Sequence, residues 1–203
     1  GWRTLPGGRK GKFLITTGNS NLEELAMKTK NILLRRKKVE VLDMPDKTII
    51  PVYNEFDKQG WADYESLWEE YLIERKKKRK SGNVERDLVE LILLRKFVAM
   101  QAIDNTVETA INAIEQGQKV IIFTNFTDEL EEIKSRLKAH KSFKAEKYKC
   151  VTHNGKMNNS EKQKSVDSFQ GSAKTVAFVG NIISAGVGIT LTEGNIVIFN
   201  SFD

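Results

Sequence analysis

Apolar and polar positions alternate between two rhythms along the chain, and the change comes near residue 118. Before it, helical spacing dominates. Asn21 or Ser20 can cap a helix whose apolar positions Leu22, Leu25, Met27, Ile32 and Leu33 run on into "LLRRKK". "KTIIPVYNEF" alternates as a strand, and Pro51 confines it to an edge or a bulge. From Asp57 to Lys80 the aromatic and aliphatic positions Trp61, Tyr64, Leu67, Trp68, Tyr71 and Leu72 predict a second helix, with aromatics facing a core. A third helical stretch is expected from Val84 to Gln116, ended by Gly117.

After residue 118 short apolar runs alternate with amphipathic stretches. "KVIIF", "YKCVT", "KTVAFV" and "NIVIFN" predict buried strands, and "TDELEEIKSRLKAH" and "NSEKQKSVDSFQ" predict helices between them. Strand–helix alternation of this kind predicts an α/β fold with a parallel sheet flanked by helices. In such sheets chemistry gathers in loops beyond the strands' C-terminal ends. The loops Thr124–Phe126, His153–Lys156 and Gly180–Thr192 are therefore expected on one edge. Each is polar or glycine-rich, and backbone N–H groups in such loops suit phosphate oxygens.

Composition adjusts this picture modestly. The chain has 203 residues, 39% of them hydrophobic, which allows one large domain or a domain with an appended helical element. A net charge of +6 suits a polyanionic partner and also an ordinary lysine-rich surface. The cationic run "ERKKKRK" leaves the same two options: a solvated helix end or a stripe for DNA phosphates. Cys150 stands alone and only His140 and His153 accompany it, so neither a disulfide framework nor a zinc site is expected. No run of about 18 apolar residues is present, so the expectation is a soluble, intracellular protein without membrane contact. "GWRTLPGGRKGKFLITTGNSN" reads as a flexible loop over residues 1–20. Its "GGRKGK" is not a phosphate-binding P-loop, because Pro6 takes the first glycine's place and Phe13 replaces the hydroxyl residue.

Four segments, in order, resemble the Swi/Snf-type ATPases of helicase superfamily 2. "LLRRKKVEVLDMPDKT" is similar to the family's "LRRxKxDVLxxLPxK" signature, and "KVIIFTNFTDELEEIKSRL" to its motif IV region. "VTHNGKMNNSEKQKSVDSFQ" resembles the "xxDGxxxxxxRxxxxxxF" block, and "NIISAGVGITLTEGNIVIFNSFD" resembles motif V with the strand after it. The "AGVGITLT" form is similar to the HARP-like annealing-helicase branch and its bacterial and phage relatives. The resemblance implies a RecA-like second lobe, with residues 21–56 as inter-lobe linker helix and edge strand, 57–117 as a helical insertion, and 118–203 as the core. It implies a double-stranded-DNA translocase that uses ATP and Mg2+ in its full-length form, with the first RecA-like lobe as partner. That lobe, with its P-loop lysine and magnesium box, and the arginines of motif VI are expected outside this chain. The chain alone is thus expected to be a fragment in functional terms, with no catalytic residue and no metal ligand of its own. Localisation would be cytoplasmic in a bacterium or phage and nuclear in a eukaryote.

Carried over residue by residue, the resemblance implies DNA contacts at Thr124 and Asn125 after the first core strand, and at His153, Asn154, Gly155 and Lys156 in the "DG" turn. It implies further DNA contacts at Asn181 and Ser184, with Ile182 where the family has threonine, and an ATP-facing stretch at Gly186, Gly188 and Thr190. The alternative for this loop is capping of the next helix by Asn125 or Thr127. Arg35 and Arg36 would anchor the linker, and Gln163 stands where the family often has arginine. Two other functions stay open: the second lobe of another superfamily 2 motor, and a non-catalytic DNA- or protein-interaction module on a RecA-like scaffold.

Overall fold

The computed structural model describes residues 2–4, 10–12, 20–34, 48–79 and 85–201. The chain divides into a small unit, Gly1–Pro51, and a large one, Val52–Asp203. In the small unit β1 (Trp2–Thr4) pairs antiparallel with β2 (Lys10–Lys12), where the sequence suggested only a loop. Helix α1 (Leu22–Thr29) follows Asn21 and is shorter than its apolar pattern predicted. The linker signature, with Arg35 and Arg36, lies almost wholly outside the described residues.

The edge strand expected around Pro51 does not form: residues 48–57 have no regular secondary structure. Ile49, Ile50, Val52 and Tyr53 are all at least 60% exposed, so no neighbouring strand covers the alternating pattern. Helix α2 (Lys58–Arg79) packs against α3 (Glu85–Gln101), and Phe56, just before α2, joins aromatic side chains of both helices. Phe56 meets Trp61, Tyr64 and Phe97 at centroid distances of 5.2, 5.7 and 5.9 Å, and Trp68 meets Tyr71 at 5.3 Å. Tyr71 is buried, whereas Trp61 and Trp68 are 52% and 40% exposed, so only part of the aromatic stripe is packed. Arg75 lies over the Tyr71 ring, while the side chains of Lys77, Lys78 and Arg79 are outside what the structure describes.

The third helical stretch is two helices, α3 and α4 (Ile103–Glu115), divided at Ala102. The break turns fully buried Ile103 into the main core with Ala110 and Ile114, while α3 continues to pack on α2. Gly117, at φ 79°, ends α4 as expected of a glycine in the left-handed region.

The large unit then builds a four-stranded parallel sheet in the order β4-β5-β3-β6. Its strands are β3 (Val120–Thr124), β4 (Lys149–His153), β5 (Thr175–Asn181) and β6 (Ile196–Phe199). The crossovers carry α5 (Thr127–Ala139), α6 (Lys141–Glu146), α7 (Asn159–Gly171) and the single turn α8 (Ile182–Ala185). The short α6 and α8 are additions to the sequence reading. On one face Leu130, Ile133 and Leu137 of α5 repeat at helical spacing and pack, fully buried, with Val120, Ile122 and Val179. Each such side chain contributes about 1.5–3 kcal/mol through burial. The other face is a smaller cluster of Ile121, Phe169, Phe178 and Ala185. Helix α7 starts where Asn158 accepts from Glu161 N (2.9 Å) and Glu161 answers from its carboxylate to Asn158 N (2.8 Å), a closed capping box. This is the RecA-like arrangement, and because all four strands run parallel, their C-terminal ends share one edge.

Candidate nucleic-acid and nucleotide interface

The three loops expected to carry chemistry do leave the same edge, after β3, β4 and β5. Their side chains, however, divide sharply between surface and interior. The surface set is Gly155, Lys156, Gly186, Gly188 and Thr190, all exposed. The remaining expected contacts are buried, partly buried or hydrogen-bonded within the fold.

Thr124 is fully buried, with Oγ1 3.5 Å from the Gly180 carbonyl oxygen. It closes β3, and the strand's two-residue period turns it into the protein. Asn125 has both carboxamide heteroatoms buried without a hydrogen-bond partner. Its backbone N–H is directed to Glu129 Oε2 (3.2 Å) and Ser201 Oγ (3.0 Å), so it is not a free phosphate donor either. Neither Asn125 nor Thr127 caps α5. The N-cap is Phe126, and Glu129 accepts from the Phe126 N–H at 3.1 Å.

His153 is only 2% exposed and sits between Ser165 and the Phe178 ring, whose centroid is 5.7 Å away. The Ser165 hydroxyl donates to the Lys162 carbonyl (2.7 Å), so at 3.3 Å its oxygen accepts from His153 Nδ1–H. Burial pushes the imidazole pKa below its ordinary 6.5 and the nearby Lys162 adds to this, against a smaller opposing effect from the Ser184 backbone. The folded state therefore holds fewer protons than the unfolded one just below pH 6.5. Stability from neutral His153 is full above that pH and is lost as acidification continues toward the folded pKa. We expect the melting temperature to fall between about pH 6.5 and pH 5 in the native protein and to fall less in His153→Gln. Thermal melts across that range check this; parallel curves for the two proteins would refute it.

Asn154 is 9% exposed and uses its Oδ1 to accept from Lys156 N at 3.0 Å, which shapes the turn and presents Lys156 outward. Asn181 is likewise committed. Its Oδ1 accepts from Ile183 N (3.1 Å) as the N-cap of α8, and its Nδ2 donates to the Asn125 carbonyl (2.8 Å). Ser184 Oγ is buried without a partner. Gln163 donates to Asp167 at 2.8 Å within α7.

Two glycines shape the last loop. A Cβ on Gly186 would stand 2.4 Å from the Ile182 carbonyl oxygen, so any side chain there would force α8 open. Gly188 has φ 81°, in the left-handed region. Between them Val187 is 91% exposed, and Ile183 one turn earlier is 85% exposed. The loop therefore offers exposed apolar side chains and two bare glycine backbones rather than charge. Sequence inspection passed over Glu129, Asn200 and Ser201. The visible hint was a glutamate three residues after an N-cap that has no acceptor of its own.

Among the described residues no group of three or more His, Cys, Asp or Glu could hold a metal ion. Among them, too, no helix is long and apolar enough to cross a membrane. Cys150 is buried and its thiol is pushed up to about 12 by desolvation, so it is chemically inert in the folded state.

A glycine-rich loop and a lysine turn, side by side at the C-terminal edge of a RecA-like parallel sheet, define a helicase-type lobe. Residues 101–203 match the family described as helicase conserved C-terminal domain, and the chain belongs to that family. Two of the proteins it is similar to are an ATP-dependent helicase and a SWI/SNF-related protein. It is 24% identical over 203 residues to an uncharacterized ATP-dependent helicase, MG018, of Mycoplasma genitalium, covering 92% of this chain and 19% of that protein. It is 29% identical over 206 residues to the Caenorhabditis elegans homolog of SWI/SNF-related matrix-associated actin-dependent regulator of chromatin subfamily A-like protein 1, covering 95% and 27%. The chain thus spans only about a fifth to a quarter of the length of these relatives. In fold it is similar to the Sulfolobus solfataricus SWI2/SNF2 ATPase core in complex with dsDNA, with a TM-score of 0.63, 24% identity, and coverage of 88% of this chain and 40% of that one.

Proposed function

We propose that this chain is the second motor lobe of an ATP-dependent double-stranded-DNA translocase or remodeller of Swi/Snf type. The observation that carries the proposal is the exposed pair of Lys156 and the Gly186–Thr190 loop on one sheet edge, within a helicase C-terminal domain. The names of the relatives, ATP-dependent helicase and SWI/SNF-related regulator of chromatin, support the same reading.

On this reading, Lys156 supplies a sequence-independent charge toward a DNA phosphate, and the backbone at Gly186 and Gly188 allows close approach to ATP. The exposed glycines fit close approach by a nucleotide, whereas the carboxylates that would hold Mg2+ belong to the first lobe. ATP, when bound between the lobes, supplies the free energy for closing and reopening them. Thr190 offers a hydroxyl toward it. Asn181, Asn154 and His153 act from behind, fixing the loops that make contact. Function of this kind would be exercised inside the cell, wherever the DNA is.

Duplex binding followed by fluorescence anisotropy tests the DNA half of the proposal. The chain should bind unrelated duplexes equally and weakly at about 50 mM salt and lose affinity steeply by about 200 mM. Lys156→Ala should weaken binding several-fold and reduce the salt slope by about 1. Absence of binding at low salt, with intact folding, would favour a non-catalytic interaction module on the same scaffold.

A further inference from the structure

The strand ends that form the candidate edge are tied to one another through a single buried carboxylate. Glu129 lies in the first turn of α5, fully buried. Its Oε2 accepts from the backbone N–H groups of Asn125 (3.2 Å) and Phe126 (3.1 Å), at the end of β3. Its Oε1 accepts from Asn200 Nδ2 (2.6 Å), just past β6, and the Ser201 hydroxyl lies 2.8 and 2.9 Å from the two oxygens. Asn200 is itself fixed, because its Nδ2 also donates to the Ala99 carbonyl of α3 (2.9 Å) and its Oδ1 accepts from Thr106 of α4 (2.6 Å).

On the other side of β3 the chain of bonds continues. The Asn125 carbonyl accepts from Asn181 Nδ2 at 2.8 Å, and Asn181 Oδ1 holds the Ile183 amide that opens α8. An unbroken path therefore runs from helices α3 and α4, through Glu129 and the Asn125 peptide, to the loop that carries Gly186, Gly188 and Thr190.

We propose that Glu129 is a positioning residue for α8 and the loop after it, which carries Gly186, Gly188 and Thr190. Its carboxylate sets the Asn125 peptide where Asn181 can reach it, so the nucleotide-facing loop, the end of β6 and the helices α3 and α4 move as one body. The functional consequence rests on the reading of this edge as DNA- and nucleotide-facing. Only an acceptor at both oxygens serves this arrangement. The Asn125 and Phe126 N–H groups and the Asn200 amide all donate, and Asn200 cannot turn over without losing Ala99 and Thr106. Glutamine at 129 keeps the shape but sets an NH2 against one of these donors.

Amide exchange resolved by NMR, alongside duplex binding, tests the proposal in Glu129→Gln. Exchange should accelerate about tenfold at Asn125 and Phe126 and also at Ile183, which Glu129 does not touch, and duplex affinity should fall about fivefold. Faster exchange confined to Asn125 and Phe126, with Ile183 unchanged, would overturn it and leave Glu129 as a local helix cap. Acceleration at Ile183 with unchanged affinity would uphold the positioning role and count against the DNA-facing edge instead. Should the glutamine variant fail to fold, Asn181→Ala probes the same path from its other end. There the Asn125 amide should exchange faster with Glu129 intact, and an unchanged Asn125 would overturn the proposal.

Discussion

Replacing Phe178 with alanine should destabilise the large unit by about 3–5 kcal/mol, the range for emptying a buried aromatic site. Phe178 is fully buried at the middle of β5, with Phe169 edge-on at 5.6 Å and His153 at 5.7 Å. Among the described residues its cluster has Ile121, Phe169 and Ala185 as the other buried members, with Phe123, Val151, Val166, Ile189 and Leu191 partly buried against it. The site lies directly behind the candidate edge: a Cβ on Gly180 would already stand 3.0 Å from the Phe178 ring and 2.8 Å from Ala185. A melting temperature lower by about 10 °C is expected. Phe178→Leu, which conserves more volume, should recover a good part of the loss. A drop of less than about 1 kcal/mol in Phe178→Ala would mean that the second face of the sheet is not the packed layer described above.

Gly186→Val should have the largest effect on activity. Its added atoms would run into the Ile182 carbonyl, which accepts the Gly186 amide at 2.8 Å, and the fit could be restored only by shifting α8 and the loop after it. Gly186 is exposed, so the cost to folding is small beside that of Phe178→Ala. In a protein carrying both lobes, DNA-stimulated ATP hydrolysis should fall by about 100-fold, the scale set by misplacing a reacting group by roughly 1 Å. Melting and far-UV circular dichroism of the same variant separate this from unfolding. Retained hydrolysis in a well-folded Gly186→Val would show that the 186–190 loop does not face the nucleotide.

The β-α alternation after residue 118 was legible because buried strands such as Val120–Thr124 and amphipathic helices such as Thr127–Ala139 differ in period, and that difference survives in one dimension. The edge that carries the loops followed from it. What stayed hidden was which side chains at that edge face outward. Thr124, His153 and Asn181 sit at or beside strand ends, where one step of the pleat separates solvent from core. Their partners Gly180, Ser165 and Asn125 come from 12 to 56 residues away. Glu129 is harder still, because its bonds to Asn200 and Ser201 bridge 71 and 72 residues. The expected strand near Pro51 failed for a related reason: alternation predicts a strand only where another strand is present to receive it, and Ile49 to Tyr53 have none.

The central claim, a second motor lobe whose nucleotide loop works only against a first lobe, meets its most direct test in ATP hydrolysis. The measurement compares this chain alone with a protein that joins it to its first lobe, each with and without duplex DNA. The account predicts no hydrolysis above background for the chain alone, DNA or not, and DNA-stimulated turnover for the joined protein, lowered about 100-fold by Gly186→Val. Robust DNA-stimulated hydrolysis by the 203-residue chain on its own would contradict it.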